Sequence, residues 1–473
     1  MEQKAWIISV NMGYGHQRTA FPLKFLAVDG KVINANDYEG IPGRDKTIWE
    51  GTRKFYEFIS RFSRIPLIGR TIFSIYDQSQ KIFTFYPKRD LSKPNIQLKQ
   101  IFSLIKGGWG KDLIEKLKIK NRASITEGGK EGIFFDYGSE GEEENKLLFD
   151  HEKLKNSLPI ISTFFPPAFM AEFFDYPGEI FCMVCDTDMS RVWAPFNPKE
   201  SRIKYFAPTE RVAERLKLYG VKDENIFFTG YPLPLENITA NPPAGGLEIL
   251  KDDLKHRLFN LDPKRKYFKK YKILIETNLG ELPQKPDHPL TIMFSVGGAG
   301  VQKEIGIKLL KCLRLYIKQG RVKVILSAGI REKVKNYFLS HIKKLNLEDS
   351  GGGQTSANSI EILFGENIED YFKKFNQALK KTDILWTKPS ELSFYSALGI
   401  PIIIAPPVGS QEEFNMRWLL KSGFGLLQEN PKYADQWLFD WLEQGYLAEA
   451  AMQGFIEGEK LGTFKIKNKL KTY

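Results

Sequence analysis

The sequence is short of the residues that mark secreted or metal-dependent proteins. It has 3 cysteines in 473 residues, too few for a disulfide framework. Cys182 and Cys185 form a C-x-x-C pair without a second pair to match. The apolar run around them reads as a buried strand carrying two core thiols. Histidine is scarce too, at 5, so side chains that titrate near neutral pH are few. No stretch reaches the roughly 18 apolar residues of a spanning helix. The nearest, 159–174, is interrupted by Pro166, Pro167 and Glu172. The apolar run 5–10 is too short for a signal-peptide core, and a cytoplasmic location is expected. With 42% hydrophobic and 27% charged residues, the composition excludes disordered and collagen-like chains.

What is present in excess is positive charge. Lys and Arg total 69 against 57 Asp and Glu, a net of +12, which points to an anionic partner. The charge is patchy. Segment 44–122 holds 18 basic and 7 acidic residues, while 127–152 holds nine acids, and the chain ends with Lys465, Lys467, Lys469 and Lys471. Residues 49–86 add ten aromatics. Phe55, Phe58, Ile59 and Phe62 fall at helical spacing on one face, with Arg53, Arg61 and Arg64 projecting from the other side. A basic amphipathic helix of this kind suits an anionic membrane surface; its aromatic face suits packing on a domain core equally. No nucleic-acid signature accompanies it.

Short apolar runs at 158–165, 180–185, 204–207 and 226–229 alternate with helical stretches such as 210–219. Proline and glycine cluster at 231–246, as in a linker. A charged arm, 264–289, follows. Then the alternation restarts with strands at 291–296, 322–327, 360–364, 383–386 and 401–405, a helix at 304–318, and a helical stretch at 433–460. Each half opens with a strand, a glycine turn and a helix, the second-half opening lying at Gly297, Gly298 and Gly300. This predicts an α/β protein of two Rossmann-like domains facing across a cleft. Helix is expected over 20–26 after the first turn, Gly13-Tyr14-Gly15-His16. Glycines let the backbone approach a diphosphate, and a following helix offers free N–H groups. The second turn departs from the dinucleotide fingerprint, with no ribose-binding acid about 20 residues on. His16 is positioned to act as a general base or as a capping histidine.

Residues 383–417, DILWTKPSELSFYSALGIPIIIAPPVGSQEEFNMR, resemble the donor-binding half of GT-B glycosyltransferases of family 28. That group includes monogalactosyldiacylglycerol synthase, the bacterial diacylglycerol glucosyltransferases and the enzyme that glycosylates lipid I. Further stretches match in order. Gly13 to Ala20 is similar to G-x-G-H-x-x-A-A, Ile161 to Phe164 to S-T-H-P, and Cys185 to Asp188 to V-T-D. Gly230-Tyr231-Pro232 is similar to G-I-P, the helix at 254–263 to the one that opens the second half, and Ser327 to Arg331 to C-G-R-N. The chain departs from the pattern where Ser390 and Glu391 replace two glycines, where Phe164 replaces a histidine, and where Ser396 replaces the ribose-binding acid. The segments 40–150 and 264–289 have no family counterpart.

The resemblance implies residues 1–231 as the acceptor half, with an insertion at about 40–150, and 232–246 as a linker. It implies 247–430 as the nucleotide-sugar half, followed by C-terminal helices and a basic tail at 431–473. It implies metal- and cofactor-independent, inverting transfer of a hexosyl group from a nucleotide-sugar, a UDP-sugar, to a lipid acceptor, at the inner face of a membrane. His16 would be the base, with Asp186 as understudy or orienting partner. Gly297, Gly298 and Gly300 would cradle the diphosphate, and Arg331 or Lys388 would neutralise it. Gln411, Glu412 and Asn415 belong to the sugar-side turn, and Ser396 or Glu391 would face the ribose. Asp186-Thr187-Asp188 has metal-site spacing but lies in the other half. Alternatives are a non-catalytic nucleotide-sugar- or lipid-binding protein, favoured by Ser396, and a nucleotide-sugar 2-epimerase.

Overall fold

The computed structural model describes residues 3–62, 82–87, 90–127, 157–241, 246–297, 300–347 and 359–472, with side chains at all of these except 53–62, 122–127 and 410. Two six-stranded sheets organise the chain. The first uses β1 (Trp6–Ser9), β2 (Ile33–Asn34), β3 (Ile160–Ser162), β4 (Ile180–Met183), β5 (Lys204–Ala207) and β6 (Ile226–Phe228), in the order β2-β1-β3-β4-β5-β6. Every pairing is parallel, in registers such as Trp6 opposite Ile160. Parallel strands are covered on both faces, so they read as unbroken apolar runs. β1, β3 and β4 are buried at every position. Cys182 and Cys185 are buried free thiols, and burial pushes the Cys182 thiol well up.

The second sheet is also wholly parallel. It comprises β7 (Leu290–Ser295), β8 (Val322–Gly329), β9 (Ile360–Phe364), β10 (Ile384–Thr387), β11 (Ile402–Ile404) and β12 (Gly425–Leu427), ordered β12-β11-β10-β7-β8-β9. The two-residue β2 and the half-exposed β12 are edge strands with no sequence run to announce them. Three expected helices differ, and the stretch after Pro389 takes a tighter form. The first begins at Tyr14, not Ala20: α1 is Tyr14–Ala20, and Phe21–Leu26 continues as 3-10 helix, because Gly13 (φ 114°) turns the chain directly out of β1. The expected helix 304–318 is broken at Leu313 into Lys303–Cys312 and Arg314–Lys318. The stretch after Pro389 is a 3-10 segment, Glu391–Leu398, with an i to i+3 bond from Ser393 N–H to Ser390 O. The helical stretch at 433–460 is two helices that meet at Gly445.

The chain forms two compact units. One contains Met1–Met12, Leu23–Gly230 and Lys465–Tyr473; the other contains Gly13–Pro22 and Tyr231–Phe464. In the first, α2 (Gly43–Phe62) covers the basic aromatic stretch as far as Phe62. Its opening turns are fixed by Asp45 Oδ2, which accepts from Gly110 N–H at 3.0 Å, and by Trp49 against Trp109. Arg64 and Gly298 lie outside the described residues, as do the side chains of Arg53, Phe55, Phe58, Arg61 and Phe62. In the second unit, the charged arm is the helix Lys266–Leu279.

Candidate functional site

In a doubly wound sheet, ligands bind beyond the C-terminal ends of the strands where the connections change direction. In the second sheet that point lies between β7 and β10: from β7 the chain winds outward through β8 and β9, then returns to β10, β11 and β12. The glycine turn leaves β7 at Gly297 and leads into α3 (Lys303–Cys312), while Thr387-Lys388-Pro389 closes β10. These two turns meet. A Cβ at Gly297 would overlap Lys388 Cε, so any larger residue there must displace the lysine side chain. Gly300, at φ 68°, adopts a conformation that favours glycine, and a Cβ there would lie 3.6 Å from Arg331 Cδ. Arg331 sits at the end of β8, at the start of α4 (Glu332–Lys344), with its side chain exposed.

The third turn belongs to α6, with α5 (Ile368–Leu379) preceding it in the chain and α6 spanning Ser410–Lys421. Glu412, in its first turn, ion-pairs with Lys388, and its second oxygen accepts from Val408 N–H at 2.8 Å. Asn415 is fully buried and donates from Nδ2 to Pro389 O at 3.4 Å. Gln411 is half-exposed beside them in sequence. Gly297, Gly300, Arg331, Lys388, Glu412 and Asn415 are thus held at one end of one sheet.

Two expected donor ligands face elsewhere. Ser396 is buried; its hydroxyl donates to Ser393 O at 2.8 Å, and its carbonyl packs on Gly454 so closely that a Cβ there would overlap it. Glu391 is largely buried, with Oε1 3.3 Å from Arg18 Nε. Asp186 lies in the other compact unit from His16, after β4. Its neighbour Asp188 is committed to Arg215, which donates from Nε and Nη2 to the two carboxylate oxygens at 2.8 Å each. One of the two carboxylates with metal-site spacing is therefore a structural ion-pair partner.

Sequence reasoning passed over Arg18 and Tyr14. Both lie on α1 with His16, and α1 packs in the second unit. The Tyr14 hydroxyl accepts from Ile330 N–H at 3.0 Å and fills the space a Cβ at Gly329 would need. Burial raises its pKa, partly offset by that backbone N–H. Arg18 is buried, with its guanidinium 4.2 Å from the Phe375 ring centroid and 4.6 Å from that of Phe372. Nη2 donates to the Tyr371 hydroxyl at 3.3 Å, and Tyr371 also meets Ser327 Oγ at 2.9 Å. Burial works against the charge, but the Tyr371 and Tyr395 oxygens and the Glu391 carboxylate outweigh it and raise the Arg18 pKa. Thr19 completes the attachment by donating to the Tyr231 hydroxyl at 3.0 Å. The first turn of α1, which carries His16, is thereby bolted beside the Ile330-Arg331 turn. The only sequence signal was an arginine two residues after the histidine on a short helix.

The fold and these turns define a doubly wound α/β protein with three turns gathered at the switch point of its second sheet. By sequence the chain is similar to the diacylglycerol glucosyltransferases to which its motif order points. It is 22% identical over 305 residues to a processive diacylglycerol beta-glucosyltransferase of Bacillus subtilis, a match covering 63% of this chain and 62% of that protein. It is 25% identical over 294 residues to the enzyme of the same name from Bacillus licheniformis, covering 60% and 59%. The chain thus spans about three fifths of the length of the curated relatives it matches. A family model described as a domain of unknown function (DUF6938) matches residues 283–418, which take in all three turns. Among solved structures, a UDP-GlcNAc 2-epimerase from Neisseria meningitidis bound to UDP-GlcNAc is 13% identical with a TM-score of 0.40, covering 70% of this chain and 80% of that one.

Proposed function

We propose that this protein transfers a hexosyl group from a UDP-sugar to a hydroxyl of a lipid acceptor at a membrane surface, with inversion and without a metal. The observation that carries the reading is the attachment of α1, through Tyr14, to the Ile330-Arg331 turn. It sets the His16-bearing helix in the same unit as the turns around Gly297, Arg331 and Lys388. The names of the relatives support a diacylglycerol-type acceptor. In the reaction, the acceptor oxygen attacks the anomeric carbon while His16 takes its proton. The bond from that carbon to the diphosphate oxygen breaks, and the electron pair leaves with the nucleotide. The backbone N–H at Gly297, the start of α3, and the cations of Arg331 and Lys388 receive the departing charge, while the Gly300 N–H, donating to Gly297 O at 2.7 Å, braces the turn. Glu412 sets the position of Lys388, and Gln411 meets sugar hydroxyls. The basic aromatic stretch, with Arg53, Arg61 and Arg64, draws the protein to anionic lipid, at the inner face of the membrane.

The test is a panel of UDP-sugars with diacylglycerol in mixed vesicles, assayed for glycolipid. His16→Ala is expected to lower the rate by about 10²–10⁴-fold with folding retained, and full activity in that variant removes His16 as the base. The burial of Ser396 and the commitment of Glu391 to Arg18 favour a second reading, a non-catalytic nucleotide-sugar-binding protein. Calorimetric binding of a donor with no turnover on any lipid would select it.

A further inference from the structure

The charged arm, helix Lys266–Leu279, has two sides of different chemistry. Tyr267, Ile275 and Leu279 are buried, where it packs on the helices Glu248–Leu261, Ala434–Gln444 and Tyr446–Glu457. The outer side carries lysines and bare aliphatic groups. Lys266, Lys269 and Lys270 are all exposed and share one face of the first segment, at i, i+3 and i+4. The helix bends at Tyr271 (φ −119°, ψ 28°). Just past the bend, Ile273 is 83% exposed and Leu274 38% exposed. Ile273 follows Lys270 by three residues, so its Cα lies within about 11 Å of that lysine's. Lys264, Arg265 and Lys272 add to the charge, and no acid occurs over 263–275. The partners of the three face lysines do not neutralise them. Lys266 Nζ donates to the amide oxygen of Gln444 at 2.8 Å, and Lys270 Nζ lies 4.8 Å from the Tyr271 ring centroid. Glu449, exposed on a neighbouring helix, also acts on Lys270. Lys272 is set aside because it pairs with Glu276 at 3.8 Å.

We propose that this arm docks on an anionic lipid bilayer, with Lys266, Lys269 and Lys270 at the phosphates and Ile273 and Leu274 in the headgroup–acyl boundary. The charge is complementary to acidic headgroups. The aliphatic pair carries no hydrogen-bonding group, so it gains by leaving water rather than by reading a polar partner. Lysine stems are long enough to keep their ammonium groups at phosphate level as Ile273 enters. The arm belongs to the second unit, whereas the basic aromatic stretch belongs to the first. Docking does not depend on the transferase reading, because lipid binding needs no turnover.

The experiment is sedimentation of the full chain with phosphatidylcholine vesicles, with and without phosphatidylglycerol, with glycolipid synthesis assayed separately. Each lysine near such a surface contributes about fivefold in affinity. K266Q/K269Q/K270Q is therefore expected to bind anionic vesicles roughly a hundredfold more weakly. I273S should weaken binding about tenfold and leave its salt dependence unchanged. K333Q/K343Q/K344Q, which removes the same charge from exposed positions of α4 in the same unit, should leave binding unaltered. If the triple variant of the arm fails to fold, the single variants are each expected to lose about fivefold. Wild-type affinity in the arm variants, or an equal loss in the α4 variant, overturns the proposal. So does saturable binding to single-stranded RNA that exceeds lipid binding and is lost in the same variants. Vesicle binding that is lost in the arm variants, in a protein that makes no glycolipid, removes the transferase reading and keeps this one.

Discussion

Arg18 illustrates what a single side chain settles in this molecule. A buried ion pair is strongly destabilised when one partner is removed, because the other charge stays in a dry site. Arg18→Met is expected to cost about 3–5 kcal/mol, read as a fall in the unfolding midpoint. R18M/E391L should recover much of the loss, giving a large coupling term in the double-mutant cycle; strict additivity would show that the pair contributes nothing. Ser396 gives the opposite test. Were it ribose-facing, Ser396→Asp would improve nucleotide-sugar affinity. Its burial and its bond to Ser393 predict instead that an uncompensated carboxylate lowers stability by several kcal/mol with no gain in affinity. Asp253 tests pH. Burial pushes its carboxyl up to about 6, against Arg257, Lys380 and Lys381, which pull it down. Its folded value lies above its unfolded one, so the cost of ionising it appears as pH rises from about 4 through 6 and is complete above that. Asp253→Asn is expected to raise stability by on the order of 2 kcal/mol at pH about 8 and to change nothing at pH about 4. A pH-independent gain would exclude the linkage.

At the scale of elements, the strand-to-helix turns decide whether the crevice takes an anion. A side chain at Gly297 would meet only the flexible end of Lys388. Gly297→Val is therefore expected to fold with its midpoint within a few degrees of wild type while pushing Lys388 aside. Donor-induced stabilisation, about 2.7 kcal/mol at 100 times the dissociation constant for wild type, should disappear in a thermal-shift series. An unaltered shift would mean that the diphosphate does not pass this turn. This is also the scale at which the sequence was most legible. The strands at 204–207 and 360–364 were readable to the residue from their apolar and aromatic residues, although 360–364 is a half-buried edge strand that carries Glu361. β2 and β12 were hidden because two or three residues at a sheet edge leave no pattern. The start of α1 was misplaced because Gly13 and Gly15 read as a turn. Gly15 is helical, and a Cβ there would make only ordinary contact with Glu391 Oε2, at 3.4 Å. Arg18 stayed invisible because charged residues are buried only when paired, and its partner lies 373 positions away.

For the whole molecule, the two compact units are not two lengths of chain. The first gives up Gly13–Pro22 to the second and takes back Lys465–Tyr473. The polypeptide therefore crosses between units more often than a linker reading of 232–246 allows. Cutting there does not separate one folded body from another. A fragment beginning at residue 232 keeps Glu391, Tyr371 and Phe375 but loses the arginine they surround. It also loses the hydroxyl that Tyr14 offers to Ile330 N–H. Its Glu391 carboxylate would be left in an apolar pocket. Supplying residues 1–231 in trans should restore it only if that piece inserts α1 and accepts the final helix in return. Each unit is thus completed by a segment distant in sequence, Gly13–Pro22 in the second and Lys465–Tyr473 in the first.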